Sequence, residues 1–315
     1  MTAASLIPAG PFSLASSIRF LEGFTPASYG REVDGVLRLA FPADDAASVI
    51  GCAVRQKEAA DEKPGTVSIE FTVHTGGEAT RPPPRPTAGE AARAQIARIL
   101  SLDVDGTGFP ALADSDPVVA GLQADYPGLR PVCFCSPYEA AAWTIIGNRI
   151  RMTQAAAIKA RLAQEHGQPL NVAGRQLSAF PTPAVLCSLD HIPGLTDTKV
   201  ERLHAIADAA LDGRLDAAAL RAQPAEQALA ALRELPGIGP FSAELILIRG
   251  AGHPDVFPVT ERRLHQAMAT AYDFDTATAD TPGRLAGIAD AWRPYRSWVA
   301  LLLRARAQEE AAAKQ

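Results

Sequence analysis

The stretch Leu235-Pro-Gly-Ile-Gly-Pro-Phe-Ser-Ala243 constrains the fold more than any other part of this 315-residue chain. Segments with helical spacing of apolar residues flank it, at Pro224–Leu235 and Phe241–Arg249. Pro236 cannot continue the first helix. Gly237 and Gly239 permit positive φ and carry no Cβ, and Ile238 reads as an apolar plug between them. A second helix starts at about Pro240. Two helices joined by so tight a turn leave outward-facing amides at the second helix's N-terminus. Such amides, with the helix dipole, accept a phosphate without any lysine.

Charge makes that route matter. There are 30 Lys and Arg against 35 Asp and Glu, a net charge of −5, with a pI near 5.7. A basic field over the whole molecule is absent, so contact with nucleic acid requires a local patch or backbone donors. Apolar residues make up 47% and charged residues 21%, which excludes a disordered, collagenous or fibrous chain. The length suggests two domains at about 150 residues each. Cys52, Cys133, Cys135 and Cys187 fit no zinc spacing and read as reduced core thiols. The first residues lack a cationic segment and contain Pro8 and Pro11, which argues against a signal peptide. No apolar run reaches the roughly 18 residues of a membrane span. A cytoplasmic protein is expected.

Residues up to about 80 read as a mixture of helix and strand. A short helix is expected at Ser13–Gly23, and strands at Gly35–Phe41, Ser48–Arg55 and Thr66–Val73. Arg81-Pro-Pro-Pro-Arg-Pro86 is a stiff extended spacer, or a polyproline ligand for a partner. From about Ala88 the chain turns helical. Ser136-Pro-Tyr-Glu139 has the form of a capping box opening a helix to about Ile150, and Thr182-Pro183 opens another through Ser188. Further helices are expected at Ala91–Leu100, Lys199–Leu211, Glu261–Tyr272 and Ser297–Glu310, and strand signals after residue 100 are weak. Trp143 and Trp298 lie on helices and read as core residues. The six histidines are scattered, without ligand spacing.

The stretch LPGIGPFSAELILIRG followed by DVFP resembles the helix-hairpin-helix DNA glycosylases, and most nearly their bacterial DNA-3-methyladenine glycosylase II branch. Pro127-Gly-Leu-Arg130 with SPYEAAAWTIIGNRI, Phe180-Pro-Thr-Pro183, Gly194-Leu195 with Lys199, and Trp292-Arg-Pro-Tyr-Arg-Ser297 resemble further family motifs in the family's order. The resemblance implies a mostly α fold with an N-terminal α+β domain. Residues 1–86 would form that domain and its Pro-rich linker. Residues 87–315 would form the all-α glycosylase region, two helical subdomains with a cleft between them.

The resemblance also implies an activity: turning a damaged, alkylated base out of duplex DNA and hydrolysing its N-glycosidic bond. Such cleavage builds positive charge on the sugar, which a carboxylate stabilises. The family's Asp after DVFP falls on Glu261, which keeps the charge on a side chain one methylene longer. Glu261 can also be read as an acid favoured in a first helical turn behind an N-cap Thr260, pairing with Arg262 or Arg263. Phe241 stands where lyase-type relatives carry a lysine, so no Schiff base can form there and a monofunctional enzyme is implied. Phe241 either stacks on an electron-poor base or sits in the core under the hairpin. A second base-pocket aromatic of the family falls on Arg304, which would repel a cationic base, hydrogen-bond a neutral one, or pair with Glu261. The residue that wedges into the base stack falls on Arg149, which is otherwise a solvated helix charge. Pro236, Gly237, Ile238 and Gly239 would contact DNA. The family allows a monovalent cation on the carbonyls of Leu235, Gly237 and Ile238, and no cofactor is implied. These departures leave a rival reading open, a non-catalytic protein that binds DNA or lesions on the same scaffold. The expected partner is double-stranded DNA with damaged bases, met by a monomer without membrane contact.

Overall fold

The computed structural model describes residues 1–24, 26, 34–57, 65–75, 87–275 and 282–313. The proline run at 81–86 lies outside them. The chain opens with β1 (Thr2–Leu6) and α1 (Leu14–Gly23), followed by β2 (Leu37–Pro42), β3 (Ser48–Lys57) and β4 (Thr66–Thr75). The strands form one antiparallel sheet in the order β1-β4-β3-β2. Alternation sets its register: Leu37 opposes Val54, which opposes Ile69, and all three are buried. Their face packs against Leu14, Ile18 and Leu21 of α1 and against Ala92, Ile96 and Ile99 of α2 (Ala88–Ile99). A full capping box holds the start of α2, with Thr87 and Glu90 each taking the other's backbone amide. The expected division at residue 86 therefore falls between β4 and a helix that packs on the sheet.

The helices that follow are α3 (Pro117–Asp125), α4 (Pro137–Gly147), α5 (Met152–His166), α6 (Pro183–Cys187), α7 (Asp197–Leu211), α8 (Ala217–Ala222), α9 (Ala225–Arg233), α10 (Pro240–Leu245), α11 (Arg262–Ala271), α12 (Pro282–Ala289) and α13 (Arg296–Ala313). They bury two separate cores. One takes side chains from Phe134 to Val256 and includes Trp143. The other joins Phe109–Leu129 to Phe257–Leu303 and includes Trp298. The chain leaves the second core after residue 129, builds the first, and returns at Phe257. Arg130 stitches these parts to the N-terminus. It is buried, donates to the carbonyls of Ala9, Pro11, Ser101 and Val104, and lies 5.1 Å over the Trp298 ring.

Three local expectations need correction. Ser136 caps α4 by accepting from the Glu139 amide, but the Glu139 side chain does not complete a capping box, because it is buried against Lys159 Nζ at 2.5 Å. The helix it opens stops at Gly147 rather than Ile150, because Asn148 turns extended (ψ 122°) and Arg149 has φ +56°. A hairpin also forms where strand signals were weak. Its strands β5 (Pro169–Val172) and β6 (Arg175–Ser178) lay Leu170 and Val172 on the outer face of β3. Four-residue strands are too short to show alternation, and a turn of Ala173 and Gly174, both at positive φ, closes them.

Candidate active site and DNA-facing hairpin

The hairpin forms as its residues dictate, with one difference. Gly237 has φ +85°, and a Cβ there would lie 2.6 Å from Arg202 Cδ. Gly239 is extended instead, with φ −92° and ψ −178°, and acts as N-cap of α10. A Cβ on Gly239 would meet open space. Pro236, Gly237 and Gly239 are exposed, while Ile238 is buried among the residues of the first helical core. The Ile238 amide donates to the Leu235 carbonyl at 3.0 Å, closing the turn. Among the described residues nothing donates to the carbonyls of Gly237 and Ile238. That of Leu235 keeps a second lone pair, so the oxygens suit a hard monovalent cation.

Beyond α10 the helix widens into a π-turn over Ile246–Gly250, where Gly250 approaches Pro137 of α4 closely. Phe241, in the first turn of α10, is 49% exposed, so it is not a core residue under the hairpin. Glu244 lies three positions on, on the same helix face. It is 5% exposed and accepts from the amides of Val259 (3.2 Å) and Thr260 (3.1 Å) and from the Thr260 hydroxyl (2.5 Å). Burial pushes the Glu244 carboxyl above its usual range; those three bonds oppose the shift and the Glu261 charge adds to it. Sequence reasoning passed over Glu244. The available signal was a lone acid inside the apolar run Ala243–Ile248.

Glu261 follows directly. It is itself the N-cap of α11, with φ −87° and ψ 88°, and its side chain makes no cap hydrogen bond. Thr260 caps nothing, because its hydroxyl is committed to Glu244. Glu261 Oε1 instead accepts from Arg304 Nε of α13 at 2.5 Å, with the two side chains 26% and 24% exposed. The helix-start explanation of Glu261 and the expected pairing with Arg262 or Arg263 give way to this longer-range pair. Among the described residues, the second carboxyl oxygen of Glu261 and the terminal amino groups of Arg304 have no hydrogen-bond partner. The other nearby acid, Asp255, pairs with Arg296 at 2.7 Å and Arg293 at 3.1 Å, tying the Trp292–Ser297 segment to the Asp255–Pro258 segment.

Arg149 is exposed in the turn between α4 and α5, not on a helix. Lys199 of α7 holds that turn, its ammonium donating to the carbonyls of Ile146 and Asn148 at 2.8 Å each. The structure thus joins Glu261, Arg304 and, through Glu244, the Phe241 helix. Arg149 stands on a separate exposed turn.

No protein-family model matches the chain. DNA-3-methyladenine glycosylase 2 of Escherichia coli (strain K12) is 30% identical over 184 residues, 57% of this chain and 61% of that protein. A DNA-3-methyladenine glycosylase of Bacillus subtilis (strain 168) is 24% identical over 212 residues, 65% of this chain and 68% of that protein. The match therefore spans about three fifths of the Escherichia coli relative. Among solved structures, a 3-methyladenine DNA glycosylase from Archaeoglobus fulgidus superposes with a TM-score of 0.72 at 20% identity over 98% of both chains. MBOgg1, solved with a low-affinity DNA ligand, superposes with 0.65 at 16% identity over 99% of this chain and 97% of that one. These superpositions establish the fold. The chain is thus similar in sequence to DNA-3-methyladenine glycosylases of two bacteria over about three fifths of its length, and it shares the fold of the superposed DNA glycosylases.

Proposed function

We propose that this protein is a monofunctional DNA glycosylase of base excision repair. It turns a damaged base out of duplex DNA and hydrolyses its N-glycosidic bond, with Glu261 as the carboxylate that acts on the sugar. The observation that carries the reading is the position of Glu261. It sits partly exposed at the start of α11, tethered through Glu244 to the helix whose other end is the exposed hairpin. The relatives' names supply the reaction class.

The amides of Gly237 and Gly239, both on exposed residues, would grip one backbone phosphate. A monovalent cation on the carbonyls of Leu235, Gly237 and Ile238 would add positive charge beneath it. Arg149 would fill the vacated place in the stack and bond the orphaned partner base. Phe241 offers an exposed ring on which the extruded base can stack. As the glycosidic bond lengthens, the sugar gains oxocarbenium character, and the free oxygen of Glu261 stabilises it and orients water. Arg304 holds the Glu261 carboxyl in place through their ion pair. Its free amino groups favour a base that offers hydrogen-bond acceptors over a cationic one. With no amine at position 241, the product is an abasic site. The enzyme would work as a monomer in the cytoplasm. Among the described residues, no helix is long and apolar enough to cross a membrane.

One observation favours the rival, a lesion-binding protein without chemistry: Arg304 already occupies one oxygen of the carboxylate. Single-turnover base release from duplexes carrying alkylated or deaminated bases separates the two. The enzyme releases base, and Glu261→Gln abolishes release while leaving affinity for abasic-site duplex intact. Tight binding with no release from any duplex would establish the rival.

A further inference from the structure

We infer that Glu244 is a positioning residue that ties the Glu261 turn to the hairpin helix and thereby fixes the distance between the phosphate grip and the acting carboxylate; this rests on the reading of Glu261 given above. Three observations carry it. Glu244 is 5% exposed and makes no ion pair among the described residues, so its charge is held by hydrogen bonds alone. A buried carboxylate without a cation is costly, and an apolar side chain would serve a merely structural site better. All three of its bonds go to Val259 and Thr260, the two residues that lead into Glu261. Finally, Glu244 stands on the helix that begins at Gly239, only five positions from the hairpin's exposed amides.

The consequence is geometric. Two parallel contacts, one from each carboxyl oxygen, fix the position and the tilt of the 259–260 peptide. Glu261 has a longer reach than the aspartate that the family resemblance implies at this place, and needs its backbone set correspondingly. A displacement of about an ångström costs roughly a hundredfold in rate. Glu244→Gln keeps the shape but turns one acceptor into a donor that faces an N–H or O–H group.

The test is single-turnover base release with the full-length protein, run beside binding to abasic-site duplex at fixed salt. For Glu244→Gln the release rate should fall by about a hundredfold while Kd stays within twofold. Thr260→Val, which removes only the hydroxyl contact, should lose about tenfold, and Thr260→Ser should restore the wild-type rate. If Glu244→Gln does not fold, the Thr260 pair decides. Release within twofold of wild type in both Glu244→Gln and Thr260→Val would overturn the positioning role alone. So would parallel loss of rate and affinity, which would mean that the hairpin itself had been disturbed. A wild-type protein that releases no base would remove the reading of Glu261 and this role together.

Discussion

The two hairpin glycines should separate stability from DNA binding. Gly239 is extended and an added Cβ meets nothing, so Gly239→Val strains neither the backbone nor its neighbours. Its cost to folding is the weaker N-cap alone, about 0.5–1 kcal/mol. Yet its methyl groups would stand over the amides that face solvent. Hydrogen bonds to a charged acceptor are worth about 1.5–3 kcal/mol each, and about 1.4 kcal/mol is a decade in Kd. Losing one such bond should weaken binding by roughly ten- to a hundredfold. Gly237→Ala should behave differently. Its φ of +85° is a left-handed conformation, and its Cβ would lie 2.6 Å from Arg202 Cδ and 2.9 Å from Ile145 Cδ1. Left-handed strain of about 1–2 kcal/mol and a comparable packing cost together predict a loss of about 3 kcal/mol. The assays are denaturant melts and fluorescence anisotropy with a labelled abasic-site duplex at fixed ionic strength. A folded Gly239→Val that binds as tightly as wild type would refute the hairpin grip. A Gly239→Val destabilised as much as Gly237→Ala would refute the local geometry.

Arg304→Leu removes the guanidinium from beside Glu261. The ratio of release from duplexes with cationic alkylated purines to release from those with neutral deaminated ones should rise about tenfold, or about 1.4 kcal/mol; an unchanged ratio would show that Arg304 does not meet the base. His253 gives a pH prediction. Burial, with the nearby Arg221 and Arg296 charges, holds its imidazole below 6.5, and its Nδ1 accepts the Asp255 amide at 3.1 Å, so the folded state keeps the ring neutral. The unfolded chain takes up the proton first, so the stability it contributes is complete above pH 6.5 and is lost as pH falls through the folded value. Thermal melts should therefore show a shallower decline as pH falls below 6.5 for His253→Gln than for wild type.

Much of the fold is legible because it rests on local chemistry. Ser13 and Ser136 cap helices that start where their sequences say, since a side-chain acceptor two or three residues from an orphan amide needs nothing distant. The strands β2 to β4 follow from alternation. β1 did not, because Thr2–Leu6 has little strand preference of its own and is a strand through pairing with β4. The helices α3, α5, α8 and α12 also went unread; α5, for one, is rich in alanine and charge, and its narrow apolar stripe is Ala155, Ile158 and Leu162.

The site divides the same way. The hairpin was fixed by its own residues: a proline that stops a helix, a glycine that must turn left-handed, an isoleucine that needs burial. Glu261 could be located only through the family resemblance, by its place after Asp255–Pro258, and its meaning could not be read at all. Whether an acid at a helix start caps that helix or meets a guanidinium 43 residues away depends on how α11 and α13 pack. Whether a glutamate in an apolar run points outward, or inward to hold a peptide 15 residues on, depends on the same packing. Backbone conformation is settled within a turn or two of chain, while the pairing of charges is settled only once separate helices come together and exclude water between them.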